Sequence, residues 1–449
     1  MKAVCLAIAI IGMLAGPAAQ AWAEETAAPA APPVSATTKI DSGDTAWVLA
    51  SAGLVMLMTP GLAFFYGGLV RRKNILSILM QCMMVLCLVT LQWIFFGYSL
   101  SFGPDVGGII GGLQWLGLSG VDGAPNADYA PTIPHSAFMI FQAMFAVITP
   151  GLILGAFAER MQFGAFCLFS LLWATVIYDP VCHWMWGSGG WLKSLGALDF
   201  AGGVVVHVTA GVSALAAALF LGKRQGYPHA ISPPHNLPLA VLGAGLLWFG
   251  WFGFNAGSAL SAGALAAGAL VATHAAGAAA GIAWSLLDWK CNKRPTMLGM
   301  ITGAVAGLAA VTPASGFVTP MGAIGIGAIA GLVCWLAVTY LKNVLKYDDS
   351  LDAFGVHGIG GTWGVLATGL WATTAVNPAG ADGLLAGGGA SLLGVQLLAV
   401  AVAAALAFGG TFALLALVNL VSPLRVSEHD ERIGLDLTQH REAGYTLVD

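Results

Sequence analysis

Residues 263–281 read Gly-Ala-Leu-Ala-Ala-Gly-Ala-Leu-Val-Ala-Thr-His-Ala-Ala-Gly-Ala-Ala-Ala-Gly, and a basic cluster of Lys290, Lys293 and Arg294 follows. A run of this kind, without Asp, Glu, Lys or Arg, is long enough to cross the hydrocarbon of a bilayer as a helix, which takes about 18 to 20 residues. Its small residues let neighbouring helices approach closely, and its glycines follow no collagen-like period. The rest of the chain repeats the pattern. Of 449 residues, 58% are hydrophobic and only 8% are charged, where an ordinary soluble domain carries about 25% charged residues. A soluble fold of this make-up would have almost nothing to place on its surface. Because lipid requires each segment to satisfy its own backbone hydrogen bonds, the expected fold class is an all-α integral membrane bundle, with the lipid bilayer as its solvent. The net charge of −4 gives no sign of a nucleic-acid partner.

Outward from that stretch, windows of apolar residues predict eleven transmembrane helices, centred near Met56, Val85, Ala146, Leu171, Gly211, Leu247, Ala275, Ala306, Val333, Gly364 and Ala403. The basic residues set their direction. Arg71, Arg72 and Lys73; Arg160; Lys223 and Arg224; Lys290, Lys293 and Arg294; Lys342 and Lys346; and Arg425, Arg432 and Arg441 all fall in alternate loops, and they make up 14 of the 17 Lys and Arg residues. The opposite loops hold only Lys39 and Lys193, so the positive-inside rule predicts an outside N-terminus and a cytoplasmic C-terminus. An odd number of spans meets that requirement.

The ends and loops divide the remainder. Lys2, the apolar run Val4 to Leu14 and the small residues Ala21 and Ala23 read as a signal peptide over 1–23, too short an apolar run for a twelfth span. Residues 24–44, rich in Ala, Pro, Ser and Thr, read as a flexible exported arm. The membrane domain is then 45–421, with residues 99–135 predicted as an ordered cap or loop on the outside, and 422–449 is a polar cytoplasmic tail too short for a domain of its own. The seven cysteines follow no metal or disulfide spacing, and no metal or cofactor is expected.

Ionisable residues within spans are costly and mark either a pathway or a structural pair. Two histidines stand out: His207 in Gly-Val-Val-Val-His-Val-Thr-Ala-Gly of the fifth span and His357 in Phe-Gly-Val-His-Gly-Ile-Gly-Gly of the tenth. Facing imidazoles could satisfy one another while offering polar edges to a small solute. Structural histidines bonded to carbonyls, or haem ligands, are equally open from spacing alone. Asp199 opens the fifth span eight residues before His207 and reads as a helix cap, as a carboxylate shaping a cation site, or both. Phe141 and Phe145 share a helix face, while Trp186, Trp251 and Phe254 are placed near outer span ends. Aromatic faces attract a partly dehydrated cation, but most membrane aromatics pack or form interface belts.

Five strings make the chain recognisable: Ile-Thr-Pro-Gly-Leu-Ile-Leu-Gly-Ala-Phe-Ala-Glu-Arg (148–160), Gly-Ala-Leu-Asp-Phe-Ala-Gly-Gly-Val-Val-Val-His (196–207), Pro-His-Asn-Leu-Pro (234–238), Gly-Trp-Phe-Gly-Phe-Asn-Ala-Gly-Ser (250–258) and Asp-Asp-Ser-Leu-Asp-Ala-Phe-Gly-Val-His-Gly (348–358). With these in order from about residue 44 to the tail, the sequence resembles the bacterial ammonium transporters. The resemblance implies a homotrimer with a pore in each subunit, built from two inverted five-helix repeats plus an outer eleventh helix. It implies an outer ammonium-recruitment site of Trp186, Phe145 and Ser258 supported by Asp199, a gate of stacked rings from Phe145 and Phe254, and a pore lined by His207 and His357. The 186–199 stretch is one residue longer than the family's pattern, which bears on Trp186. The tail around Leu-Arg-Val-Ser-Glu-His-Asp-Glu-Arg-Ile-Gly-Leu-Asp resembles a regulatory tail that meets a PII-type signalling protein.

The function implied is transport of ammonium or ammonia across a cell inner membrane, with deprotonation at the gate. A dehydrated cation is far more expensive in an apolar pore than neutral ammonia. The rival readings are an ammonium sensor of low flux, a Rhesus-like gas channel, and a membrane haem protein.

Overall fold

The computed structural model describes residues 39–229 and 233–445, so the segment expected to be a signal peptide and most of the exported arm lie outside the described residues. A helix stands at each of the eleven predicted centres. These are α1 Ser42–Leu69, α2 Arg72–Phe102, α3 His135–Phe157, α4 Phe163–Ser194, α5 Gly203–Leu221, α6 Leu237–Ala256, α7 Ala264–Asn292, α8 Met297–Val311, α9 Pro320–Leu345, α10 at 354–371 and α11 Ser391–Val421. Among the described residues, nine of these are long and apolar enough to cross a membrane, while α8 and α10 are shorter. A short α12, Glu428–Ile433, lies in the tail.

Local chemistry sets several ends. Asp41 caps α1 by accepting from the Asp44 amide at 2.9 Å, so the arm expected to run to residue 44 stops a few residues earlier. Asn236, Thr296 and Thr319 cap α6, α8 and α9 in the same way. Helices α1, α3, α5 and α10 pack around the centre, and α6 lies along α1. Asp288, buried in α7, accepts from Trp335 Nε1 of α9 at 2.9 Å and from Thr296 Oγ1 at 2.7 Å, so one carboxylate ties α7, α8 and α9 together. At one end of the bundle, residues between α2 and α3 form an ordered cap, as expected. It contains strands β1 Asp105–Val106 and β2 Ile110–Gly111, paired antiparallel, and an aromatic cluster of Tyr98, Trp115, Tyr129 and His135.

The opposite end is basic, and its organiser is Glu159. This residue has a left-handed backbone (φ 74°), uncommon for anything but glycine, so its surroundings must hold it there. Its carboxylate is almost fully buried and accepts from the Arg71 amide at 2.7 Å, Arg71 Nε at 3.0 Å, Asn74 Nδ2 at 2.9 Å and Arg224 Nη1 at 3.3 Å. Arg224 also grips Asp348, with Nη2 to Oδ1 at 2.7 Å. The tail docks on this network: Leu435 N donates to Asn74 Oδ1 at 2.8 Å, Gln225 N to Glu431 Oε1 at 2.7 Å, and Arg425 Nη2 to Glu431 Oε2 at 2.9 Å.

Burial by itself would raise the Glu159 pKa, but Arg71, Arg224 and the donated hydrogen bonds outweigh it and hold the group below the ordinary carboxylate range. A depressed folded pKa contributes stability that is present above the unfolded value of about 4.3 and is lost as pH falls through the folded value. Glu159→Gln should therefore cost about 3 kcal/mol at neutral pH by leaving Arg71 and Arg224 short of a charge. It should also flatten the acid limb of the stability profile. Thermal unfolding in detergent against pH checks both effects, and an unchanged acid limb would show that Glu159 is not the titrating group.

Candidate functional site

Both intramembrane histidines sit in wide π-helical turns, His207 in Gly203–Val208 and His357 in Phe354–Ile359, a local form often found at functional sites. Glycines bring the two turns together. A Cβ on Gly211 would lie 1.9 Å from the Gly358 amide nitrogen, and one on Gly361 would lie 2.7 Å from His207 Cβ, so α5 and α10 touch backbone to backbone. The imidazole centroids are 5.2 Å apart, with ring planes 13° from parallel. The expectation that the two rings satisfy each other is not met. No hydrogen bond joins them, and neither nitrogen of His207 nor Nδ1 of His357 has a protein partner among the described residues. Full burial without such partners leaves these nitrogens to whatever shares the space between the rings. The same close backbone approach leaves no gap for a porphyrin between them.

Aromatic rings continue the series toward the cap. Phe254 lies 6.0 Å from His207, and Phe145 is 4.3 Å from Phe254 with the rings leaning at 39°, so the stacked gate expected from the sequence is tilted. Trp186 stands edge-on to Phe145 at 5.9 Å. Trp251, expected near an outer end, instead lies beside His207 at 5.6 Å, its plane 22° from the imidazole's. Its indole N–H donates to Thr312 Oγ1 at 3.0 Å, which fixes it in the wall.

Asp199 caps the start of the His207 turn. Its Oδ1 accepts from the amides of Gly202 (2.9 Å) and Gly203 (2.6 Å), and its Oδ2 from those of Val204 (2.8 Å) and Val205 (3.2 Å). All four orphan donors at the start of the His207 turn are thereby met. Gly202 takes a φ of 111° to enter that turn, a backbone open to glycine alone at low cost. The Asp199 carbonyl accepts from Trp186 Nε1 at 2.8 Å, so one residue anchors both the histidine turn and the tryptophan.

Two cavities flank the phenylalanine pair. One, of about 220 Å³ and on the cap side, is lined by Trp186, Asp199, Ser258, Gln142, Tyr129 and Lys193 among others. Ser258 Oγ donates to the Phe254 carbonyl at 2.8 Å, leaving its lone pairs to face the cavity. The other, of about 190 Å³ and opening toward the basic end, is lined by His207, His357, Trp251, Phe254, Arg224 and Asp352 among others. Among the described residues no cluster of three or more His, Cys, Asp or Glu side chains is placed to hold a metal.

Sequence reasoning missed Gln142 and the paired glycines, and it misplaced Trp251. Gln142 lies three residues before Phe145 and so on its helix face, and its buried Oε1 has no partner among the described residues. Gly211 and Gly361 each follow a histidine by four residues, a signal present in the sequence.

The sequence matches the Ammonium Transporter Family over residues 46–445. A Bacillus subtilis protein named ammonium transporter is 55% identical, with 90% of this chain and 98% of that protein covered. The crystal structure of Candida albicans Mep2 superimposes with a TM-score of 0.84 at 35% identity, over 91% of this chain and 94% of that one. A structure titled Sensor Amt Protein aligns with a TM-score of 0.81 at 32% identity, covering 89% and 98% of the two chains. By sequence match and by fold, this multi-pass membrane protein belongs to the ammonium transporter family.

Proposed function

We propose that the chain carries ammonium across a cell membrane by recruiting the cation at the cap-side cavity, removing its proton near Phe145 and Phe254, and passing ammonia along His207 and His357. The observation that carries this reading is the unbroken series Trp186, Phe145, Phe254, His207, His357 between the two cavities. The Trp186 and Phe145 faces and the Ser258 oxygen offer a cation partial replacement for water. Beyond the rings, the lining beside the two imidazoles is aromatic and aliphatic, with charged groups such as Arg224 and Asp352 toward the basic end, so an ion next to the histidines would pay several kcal/mol in desolvation and ammonia much less. Potassium has no proton to lose. Asp199 acts by holding the site in shape, since both its oxygens are engaged by backbone amides.

Ammonium uptake by a transport-deficient host, with potassium uptake measured alongside, tests this reading; protein that leaves ammonium impermeant, or passes potassium equally well, sinks it. Current on ammonium addition to vesicles would show that the proton follows by a second route, and uptake without current would exclude that version. The Sensor Amt structure favours one second reading, an ammonium receptor of low flux. A high uptake rate would dismiss it.

The architecture we infer is two five-helix repeats of opposite direction plus α11, a plan that recurs among transporters. Supporting it, Asp199, His207 and Gly211 are matched by Asp349, His357 and Gly361, each lying 150 residues further on. Asp349 also caps its turn, accepting from the Phe354 amide at 2.8 Å. Helices α4 and α9 share a π-turn as well, at Ala174–Tyr178 and Ala337–Leu341. With the basic end cytoplasmic, the cap faces outward across a cell inner membrane.

His274 is exposed on α7, beside the rings of Trp248 and Phe252, where a polar ring would sit poorly in lipid. Burial against a second and third copy in a trimer removes that cost, and native mass in mild detergent tests it. The docked tail offers its ordered surface to a PII-type protein; copurification, with a chain lacking 425–449 as control, is the check.

A further inference from the structure

Lys193 is one of only two basic residues that the topology leaves among the outer loops, and it lines the same cavity as Trp186 and Ser258. Its Nζ donates to the Trp186 carbonyl at 3.1 Å and stands 5.9 Å from the centroid of the Tyr129 ring. Asp128 lines the cavity too, yet among the described residues no carboxylate lies within ion-pair distance of Lys193. A primary ammonium, chemically close to the substrate, is thus tethered at the rim of the cavity without an ion-pair partner among the described residues.

We infer that Lys193 is an affinity- and specificity-determining residue: a fixed cation that raises the concentration of ammonium needed to fill the outer cavity and discriminates against divalent cations there. This rests on the cavity being the recruitment site. Repulsion between unit charges scales with the product of their charges, so calcium or magnesium entering the cavity pays twice what ammonium pays. The monovalent substrate loses some affinity, while competing divalent ions lose the square of that factor. The aromatic faces of Trp186 and Phe145 would otherwise draw both kinds of cation. The hydrogen bond to Trp186 gives Lys193 a second, purely structural contact, and the two roles separate by substitution. Lys193→Gln keeps a donor without the charge, and Lys193→Arg keeps both.

The test is labelled methylammonium uptake by the full chain in a host lacking its own transporter, at an ionic strength of about 10 mM, where charges act over roughly 30 Å. For Lys193→Gln, KM should fall about threefold with maximal rate unchanged, consistent with unit charges several ångströms apart in a watery cavity. The calcium concentration that halves uptake should fall by the square of that factor, about tenfold. Lys193→Arg should match the intact protein. Both shifts should shrink when choline chloride raises the ionic strength to about 0.3 M.

Unchanged KM and calcium sensitivity in Lys193→Gln overturn the inference, as do equal shifts in the Gln and Arg variants, which would mark a structural contact. Trp186→Ala in the same assay separates the two layers. If it raises KM while Lys193→Gln is silent, only the role of Lys193 falls; if it leaves KM unchanged, the recruitment site falls and the role of Lys193 with it.

Discussion

Vesicles carrying the His207→Asp protein are expected to conduct potassium where the intact protein does not. The argument is one of charge at close range. His207 is enclosed by Phe254, Trp251 and His357, all within 6.0 Å between ring centroids, so an ion here has shed most of its water. Nothing in that wall carries a negative charge to repay the loss. A carboxylate at position 207 would supply it: unit charges about 4 Å apart attract by roughly 4 kcal/mol at an effective dielectric constant near 20. That is about three decades in occupancy. Potassium and ammonium are then held by the same Coulomb attraction, and the requirement to lose a proton no longer filters them. Ammonium-evoked current should rise together with potassium current, and the ratio of the two should approach unity. His207→Gln, which alters the ring without adding charge, should remain closed to potassium. If His207→Asp vesicles stay tight to potassium while still transporting ammonium, selectivity resides elsewhere and the pore reading fails.

That prediction depends on residues whose legibility in the sequence was uneven. The helix positions were readable because lipid imposes one rule on every segment: each predicted centre lies in a helix, and among the described residues nine of these are long and apolar enough to cross. His207, His357 and Asp199 stood out because polar groups in hydrocarbon are rare enough to be conspicuous. Trp251 was misplaced because a tryptophan near a span end is usually an interface anchor, and only the fold reveals that α6 brings it against His207. The distinction between a stacked and a tilted gate depends on helix crossing, which no spacing encodes. The docking of the tail was equally hidden, since Glu431 and Asp436 look like any solvated charges until Gln225 and Ser77 are seen to meet them. The repeat was present but faint: Asp199, His207 and Gly211 recur as Asp349, His357 and Gly361, and three matches in a chain this rich in glycine gain weight only when both sets prove to cap, turn and cross alike.

Those crossings underlie the second large effect, expected for Gly211→Val. The space beside Gly211 is filled by the backbone of Gly358 and His357, which cannot rotate aside as a side chain could. Adding three carbons forces α5 away from α10 and, with it, His207 from His357. Ordinary overpacking in a core costs about 1 to 3 kcal/mol because neighbouring rotamers give way. Here the obstacle is a main chain held in a π-turn and capped by Asp349, so a loss above about 5 kcal/mol is expected, enough to exhaust the stability of many domains. The yield of detergent-stable protein should collapse, and any that survives should transport poorly because its imidazoles are misaligned. Gly394→Val in α11, where nothing lies within 4 Å of an added Cβ, is the matched control and should fold and transport normally. Gly211→Ala should fall between them, since a single Cβ already comes within 1.9 Å of the Gly358 amide nitrogen. A Gly211→Val protein with intact yield, thermal midpoint and uptake would mean that α5 and α10 do not touch there, and the pairing of the two histidines would lose its structural basis.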